Sequence, residues 1–114
     1  MNNLFELKVW NKAMEIAEMT YRLSASFPRE EKFGLTSQIR RSAVSVPSNI
    51  AEGSAKSSIK SFSNSLEISL GESYVLETQF EISKRIGLIT EEKMKLLEAD
   101  LIEIQKMIVG LKDS

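Results

Sequence analysis

The last quarter of the sequence repeats large apolar residues at alternating intervals of three and four, the spacing of an α-helix that packs in a coiled-coil-like bundle. This stripe consists of Met94, Leu97, Leu101, Ile104, Ile108 and Leu111. The chain has only two prolines and no Asn-Gly or Asp-Gly pair, so the usual signals of β-hairpins are missing. The sequence therefore predicts an all-α fold.

Helical periods of this kind divide the whole chain into four segments. The predicted helices cover about residues 5–25, 34–51, 58–86 and 90–111, and we assign residues 1–114 to one domain. Short connections make successive helices antiparallel. The predicted architecture is therefore an up-down-up-down antiparallel four-helix bundle.

Pro47 lies within the second predicted helix. Proline lacks the backbone N–H and clashes with the preceding turn, at a cost of about 3 kcal/mol in a helix interior. Because the apolar period continues from Val46 to Ile50, we expect one helix with a kink at Pro47. Two short helices broken at Val46 are the alternative. Gly53 is expected to end the segment in a left-handed conformation.

Two helices carry an apolar stripe beyond the one that a monomeric bundle needs. In the first helix we assign the core face to Leu7, Trp10, Met14, Ala17 and Tyr21, and the exposed stripe to Phe5, Val9, Ile16 and Leu23. In the third helix the core face contains Leu66, Ser73 and Phe80, and the second stripe is Ile68, Val75 and Ile82.

Continuous exposed apolar patches mark interfaces, so these second stripes predict a homo-oligomer, most simply a cyclic one. If the first and third helices are neighbours, the contact forms on their shared side. The alternative is that these residues are scattered exposed apolar side chains, which are normal on protein surfaces.

The composition excludes several kinds of chemistry. The chain has no Cys and no His, so thiolate sites, the usual zinc ligands and the Glu-x-x-His pairs of di-metal bundles are missing. We therefore predict no metal, no cofactor, no catalytic residue and no enzymatic activity. No apolar run has transmembrane length and no signal peptide is visible, which predicts a cytoplasmic protein without membrane association.

Charge is unevenly distributed along a chain whose net charge is −1. Residues 29–60 contain six basic and three acidic residues, whereas residues 61–114 contain six basic and ten acidic ones. The basic zone predicts phosphate contacts, and an oligomer would repeat that zone several times. The residues that we assign to nucleic-acid binding are Arg40, Arg41, Lys56 and Lys60.

Polar residues on the predicted inner faces have a structural interpretation. Glu77 lies on the core side of the third helix, where an unpaired charge is costly, so we expect a partner on the second helix, such as Arg40, Arg41 or Asn49.

A ladder of small polar residues on one side of the second helix is predicted to make interhelical hydrogen bonds, with a polar groove for phosphates as the alternative. The ladder consists of Gln38, Ser42, Ser45 and Asn49.

Two runs carry a resemblance to a known family. The run FPREEKFGLTSQIRRSAVSVPSNIAEG at 27–53 is the more specific, and ISLGESYVLETQ at 68–79 together with Trp10 extends it over nearly the whole chain. The chain resembles the four-helix-bundle family of bacterial 23S rRNA intervening-sequence proteins, which includes the accessory variability protein of diversity-generating retroelements.

The resemblance implies a cyclic homopentamer that associates with structured RNA or with a reverse-transcriptase complex. The positions that match the family pattern are Gln38, Arg40, Arg41, Pro47, Asn49, Glu52, Gly53 and Glu77. We therefore expect a non-enzymatic, oligomeric accessory protein that binds structured RNA, or an RNA–protein complex, weakly through basic residues of the second helix. The alternative is a purely structural or protein-interaction module that binds no nucleic acid.

Overall fold

The computed structural model describes residues 3–113, which form four α-helices and two short 3₁₀ turns. The helices are α1 (Lys8–Ser24), α2 (Leu35–Ser54), α3 (Ile59–Arg85) and α4 (Glu91–Lys112), and the turns are Leu4–Glu6 and Arg29–Glu31. The predicted all-α four-helix bundle is confirmed. Each helix packs against the next, and α1 also packs against α4. The helices α1 and α3 are therefore not neighbours, contrary to the arrangement considered for the oligomer contact.

Side-chain caps begin two of the helices. The Ser58 hydroxyl accepts a hydrogen bond from the Ser61 backbone N–H at 3.0 Å, and the Thr90 hydroxyl accepts one from the Lys93 N–H at 3.1 Å. Such caps satisfy backbone donors that the first turn leaves unpaired. Gly87, with a φ of +84°, follows α3 and turns the chain toward α4.

The core is built from one apolar face of each helix, and it includes core positions that the sequence predicts for α3 and α4. The predicted stripe on α4 is buried apart from the half-buried Leu111. The corresponding buried residues are Ile39, Ala43, Val46 and Ile50 on α2, and Leu66, Leu76 and Phe80 on α3. Burial of these apolar faces holds the bundle together, since burying apolar surface is the main favourable term in folding.

The face assigned to the core in α1 is wrong in part: Ala17 is buried and Trp10 packs against the core, but the other large residues of that face are not buried. Val9 and Ile16, predicted at an oligomer interface, are only 5% and 2% exposed within the monomer, and Leu23 packs against the same core. Met14 and Tyr21, predicted in the core, are more than 40% exposed. The buried face also carries the small residues Ala13, Ala17, Thr20 and Ser24. Because these side chains are small, this face of α1 packs closely against its neighbouring helices. The opposite face, which carries the larger Met14 and Tyr21, remains exposed to solvent.

The helix α2 continues through Pro47 without a break, so the alternative of two short helices is wrong. Gly53 is also different from the prediction, because it lies within α2 and its φ is not positive. A Cβ atom at Gly53 would lie 2.6 Å from the Ser65 Cβ and 2.9 Å from the Phe62 Cδ1. This glycine therefore allows α2 and α3 to approach closely.

Buried serines line the rest of the contact between α2 and α3. Ser65, Ser69 and Ser73 follow one another at intervals of four along α3 and are buried. The Ser69 hydroxyl donates a hydrogen bond to the Val46 carbonyl oxygen at 2.9 Å. Small side chains with satisfied hydroxyls keep the two helices close without leaving these polar groups unpaired.

Charged pairs reinforce the outer edges of the bundle. The Lys12 ammonium on α1 lies 2.7 Å from Asp100 and 3.4 Å from Glu103 on α4. The hydrogen bond to Asp100 raises the pKa of Lys12 above its ordinary value of 10.5. Within α3, hydrogen bonds from Arg85 and Lys84 lower the pKa of Glu81 below its ordinary 4.5.

We expect Gly53→Ala to lower the free energy of unfolding by about 1–3 kcal/mol, because the added methyl group must displace Ser65 and Phe62. Urea denaturation followed by circular dichroism measures the effect. Gly110→Ala is the matched control, because Gly110 lies in α4 with nothing within 4 Å of its would-be Cβ. It should stabilise the protein by up to about 1 kcal/mol. Equal effects of the two substitutions would contradict the close contact.

The pair between Lys12 and Asp100 predicts a loss of stability in alkali. A raised pKa in the folded state means that the contribution of Lys12 is complete below pH 10.5 and disappears as the pH rises through the folded value. Lys12→Met should remove this part of the stability profile, as should Asp100→Asn. Thermal unfolding between pH 8 and about pH 11 tests this, and an unchanged alkaline slope in both variants would refute it.

Candidate nucleic-acid interface

A polar groove of about 650 Å³ runs along the outer face of α2 and the turn that precedes it. Three basic residues line it, namely Lys32, Arg40 and Arg41. One acidic residue, Glu52, and the apolar Val44 also line it, and the other walls are aromatic or small and polar, among them Tyr21, Phe33, Ser37, Ser45, Ser48 and Asn49. The groove also contains Thr36, whose buried hydroxyl oxygen has no hydrogen-bond partner among the described residues.

Arg40 lines the groove and also makes contacts within the bundle. Its Nε donates to the Ser24 Oγ at 2.9 Å, one Nη donates to the Tyr21 carbonyl oxygen at 3.3 Å, and the guanidinium lies 4.7 Å from the Tyr21 ring centroid. Cations favour the C-terminal end of a helix, so this arrangement fastens the end of α1 to α2. The guanidinium has five N–H donors, of which two are used in these bonds.

Arg41 and Lys32 are the more available cations of the groove. The side chain of Arg41 is exposed and makes no hydrogen bond or ion pair with the described residues. The Lys32 ammonium lies 5.4 Å from the centroid of the Phe33 ring, and Phe33 is 90% exposed. Lys32 and Phe33 are absent from the sequence-based site, although both lie in the run that carries the family resemblance.

Lys56 and Lys60 do not line this groove. The Lys56 ammonium donates to the Ser65 Oγ at 3.0 Å and lies 3.8 Å from Glu52. Lys56 lines a separate hollow at the connection between α2 and α3, and Lys60 is exposed on the first turn of α3. Thirteen residues of helical rise, about 20 Å along the axis, separate Arg41 from the end of α2 at Ser54, and Lys56 lies beyond that end. The four predicted residues therefore form two clusters rather than one patch.

The polar ladder of α2 does not join helices through Ser45 and Asn49, contrary to the prediction. The Ser45 hydroxyl donates to the Arg41 carbonyl oxygen at 2.9 Å, and the Asn49 amide donates to the Ser45 carbonyl oxygen at 2.8 Å. Gln38 is exposed, as is Glu52. Ser45 and Asn49 line the groove with Arg41, so the geometry favours the polar-groove alternative.

Glu77 is half-buried, but its partner is not on α2. The Gln105 Nε2 of α4 donates to the Glu77 Oε1 at 2.9 Å, and Glu77 forms no ion pair with a described residue. Because Ser73 and Phe80 occupy the centre of the buried face of α3, Glu77 is directed to the seam with α4. The predicted pairing with Arg40, Arg41 or Asn49 is therefore wrong.

Two exposed apolar surfaces complete the outside of the bundle. A groove of about 650 Å³ between α1 and α2 is lined mainly by Trp10, Met14, Tyr21, Val44, Pro47 and Ala51. The Phe5 side chain is 75% exposed and its ring meets Trp10 edge-on at 5.3 Å. On α3, Ile68, Val75 and Ile82 are exposed, as the sequence predicts. The second stripe of α1 is therefore the Trp10–Tyr21 side rather than Val9, Ile16 and Leu23.

Two features are absent from residues 3–113. No group of three or more acidic residues in this part of the chain is placed to hold a metal ion. None of its helices is long and apolar enough to cross a membrane.

The fold and the site together define an all-helical four-helix bundle with a basic groove on the outer face of its second helix. The family profile of the 23S rRNA-intervening sequence proteins matches residues 5–110, and the chain belongs to this family. It is similar over 93% of its length, with 28% identity and a TM-score of 0.85, to a protein of unknown function from the S23 ribosomal protein family of Bacteroides thetaiotaomicron. The match covers 96% of that chain, whose crystal structure has a resolution of 1.70 Å. No curated protein sequence matches the chain.

Arg40→Lys should lower the free energy of unfolding by about 1 kcal/mol, because a lysine cannot reproduce both hydrogen bonds to the end of α1. Arg41→Lys is the matched control and should change it by less than about 0.5 kcal/mol. Urea denaturation of the two variants decides the matter. If they are equally stable, Arg40 is not a structural residue.

Proposed function

We propose that this protein is a non-enzymatic, oligomeric accessory protein of the cytoplasm that binds structured RNA, alone or within an RNA–protein complex. The observation that carries the proposal is the convergence of Lys32, Arg40 and Arg41 on one groove that also presents the exposed Phe33 ring. Cationic side chains contact phosphates, and exposed aromatic rings stack on unpaired bases. The groove therefore offers cations for phosphate groups and an aromatic ring for stacking on unpaired bases.

The strength of binding follows from the charge balance. Arg41 and Lys32 make no ion pair with a described residue, so a phosphate group does not have to displace an acidic partner. The chain as a whole carries a net charge of −1, which limits long-range attraction to a polyanion. Each monomer therefore supplies few phosphate contacts, and weak, salt-sensitive and largely sequence-independent binding is the expected result.

Oligomerisation multiplies these contacts. A cyclic homopentamer, as the family resemblance implies, would present the groove five times and join weak contacts into one multivalent surface. The exposed apolar surfaces on α1–α2 and on α3 support self-association. For the protein component of an RNA–protein complex we propose a reverse transcriptase, which the resemblance to the retroelement accessory protein implies.

Fluorescence anisotropy with a labelled, folded RNA tests this function. The affinity of the wild type should fall steeply as the salt concentration rises from about 50 to 200 mM, because binding releases counterions. Lys32→Glu with Arg41→Glu should abolish binding, while Arg40 is left in place for stability. Lys93→Glu with Lys95→Glu on the exposed side of α4 is the control with the same charge change, and it should bind nearly as well. The pair Lys56→Glu and Lys60→Glu measures what the second cluster contributes.

Two outcomes would contradict RNA binding by phosphate contacts. The first is the absence of binding by the oligomer at about 50 mM salt, and the second is an affinity that does not change with salt. The first outcome favours the alternative function, a structural or protein-interaction module. The apolar groove between α1 and α2 is the observation that supports that alternative.

A further inference from the structure

The N-terminal end of α2 leaves backbone donors without partners. Gly34 occupies the N-cap position and has no side chain that could accept a hydrogen bond from the first turn. The N–H groups of residues 35–37 donate to no acceptor in the described part of the chain. The helices α3 and α4 differ, because the hydroxyls of Ser58 and Thr90 cap their first turns. An uncapped helix end needs water or a ligand as its acceptor.

Thr36, in the first turn of α2, adds a side-chain donor that is also unpaired. The residue is 8% exposed and lines the polar groove, and its buried hydroxyl oxygen bonds to no described residue. Buried hydroxyls nearly always have a partner, so an orphaned one indicates a group that completes the site. Threonine in a helix populates two χ1 rotamers, and a change of rotamer can present this hydroxyl to a ligand in the groove. The other unpaired buried oxygen among residues 3–113, the Gln79 Oε1, does not line the groove.

Cations surround this end of the groove. Lys32 and the exposed Arg41 form no ion pair with a described residue, and Arg40 retains three N–H donors beyond its two bonds to α1. The two arginines follow the first turn of α2 within about two helical turns. Helix side chains lean toward the N-terminus, which is the direction of that first turn.

The carboxylates near this end of α2 do not line the groove. Glu52, the acidic residue that does line it, lies sixteen residues or about 24 Å along α2 from Thr36. Glu30 and Glu31 are closer in sequence, and the Glu31 Oε1 lies 3.3 Å from the position that a Cβ would occupy at Gly34. Neither glutamate caps the first turn. The lining of the groove at the N-terminal end of α2 is therefore basic.

An exposed aromatic ring lies directly beside the unpaired amides. Phe33 is 90% exposed, and Gly34 alone separates it from Leu35, the first residue of α2. Two peptide units place the Cα atoms of Phe33 and Leu35 at most about 7 Å apart. A phosphate at the first turn and a base stacked on Phe33 can therefore belong to one nucleotide.

We propose that the N-terminal end of α2 binds the terminal 5′-phosphate of an RNA strand, whose first base stacks on Phe33. The positive end of the helix dipole and the unpaired donors favour an anion at this place. A terminal phosphate monoester carries close to two negative charges at neutral pH and has three oxygens free to accept, whereas an internal diester carries one charge and has two. The number of donors therefore favours a strand end. This inference rests on the proposed RNA binding and specifies the part of the RNA that the groove recognises.

Two RNAs that differ only at the 5′ end test the site. A hairpin with a single-stranded 5′ extension is labelled at its 3′ end and prepared with a 5′-phosphate or a 5′-hydroxyl. In fluorescence anisotropy the wild type should bind the phosphorylated RNA about three- to tenfold more tightly, as a helix N-terminus discriminates anions. Equal, salt-sensitive affinity for both RNAs would overturn this inference alone. The absence of binding to either RNA would refute the proposed function as well.

Substitutions at Gly34 connect this preference to the helix end. Gly34→Asp should abolish the preference for the 5′-phosphate, because an N-cap carboxylate accepts from the first-turn amides and repels the phosphate. Gly34→Ala is the matched control, since it places a Cβ at the same point beside Glu31 without adding an acceptor, and it should retain the preference. Circular dichroism checks the helix content of both variants. A folded Gly34→Asp protein that retains the preference would contradict the site.

Phe33→Ala tests the stacking of the first base. It should weaken binding of the phosphorylated RNA at least about fivefold, because stacking of one base on an aromatic ring contributes at least this much. Phe5→Ala is the control, since Phe5 is 75% exposed and does not line the groove, and it should bind like the wild type. Equal affinities of the two variants would refute the stacking.

Nuclear magnetic resonance of the wild type needs no substitution. Titration with inorganic phosphate at constant ionic strength should shift the backbone amide signals of residues 35–37. The amides in the first turns of α3 and α4 should shift less, because Ser58 and Thr90 already cap those turns. Shifts of equal size at all three helix ends would show non-specific anion binding and overturn the proposed site.

Discussion

At Gly53, α2 and α3 come so close that a single methyl group would meet the Ser65 side chain at 2.6 Å. This contact and the buried serines beyond it set the rotation of α3 about its own axis. With Ser65, Ser69 and Ser73 toward the interior, Ile68, Gly71 and Val75 are necessarily on the outside. The outer surface of α3 is therefore a consequence of how tightly its inner surface packs.

How well the sequence predicts the buried face of a helix depends on how strongly the faces of that helix differ in hydrophobicity. In α4 the residues behind the apolar stripe are mostly polar, and the predicted core positions are buried apart from the half-buried Leu111. In α1 both faces are apolar, so periodicity alone cannot tell which one is buried. The small residues Ala13, Ala17 and Thr20 were the available signal, because close helix packing needs small side chains more than it needs large apolar ones.

The candidate site shows a similar limit. The basic zone at residues 29–60 indicates where cations concentrate, but it does not show which of them have intramolecular partners. Arg40 bonds to the end of α1, Lys56 bonds to Ser65, and Arg41 remains available, although all three look alike in the sequence. For Glu77, a small error in the assumed helical phase was enough to assign the wrong neighbouring helix.

The two perturbed charges on the outer edges have a consequence for how the molecule responds to its surroundings. The pKa of Lys12 is raised and the pKa of Glu81 is lowered, so both shifts lead away from neutrality. The sequence also lacks histidine, the side chain that ordinarily titrates between about pH 5 and 8. Lys12 and Glu81 therefore keep their charges over that interval. Ionic strength, rather than acidity, is the variable that changes the strength of these two ion pairs in that range.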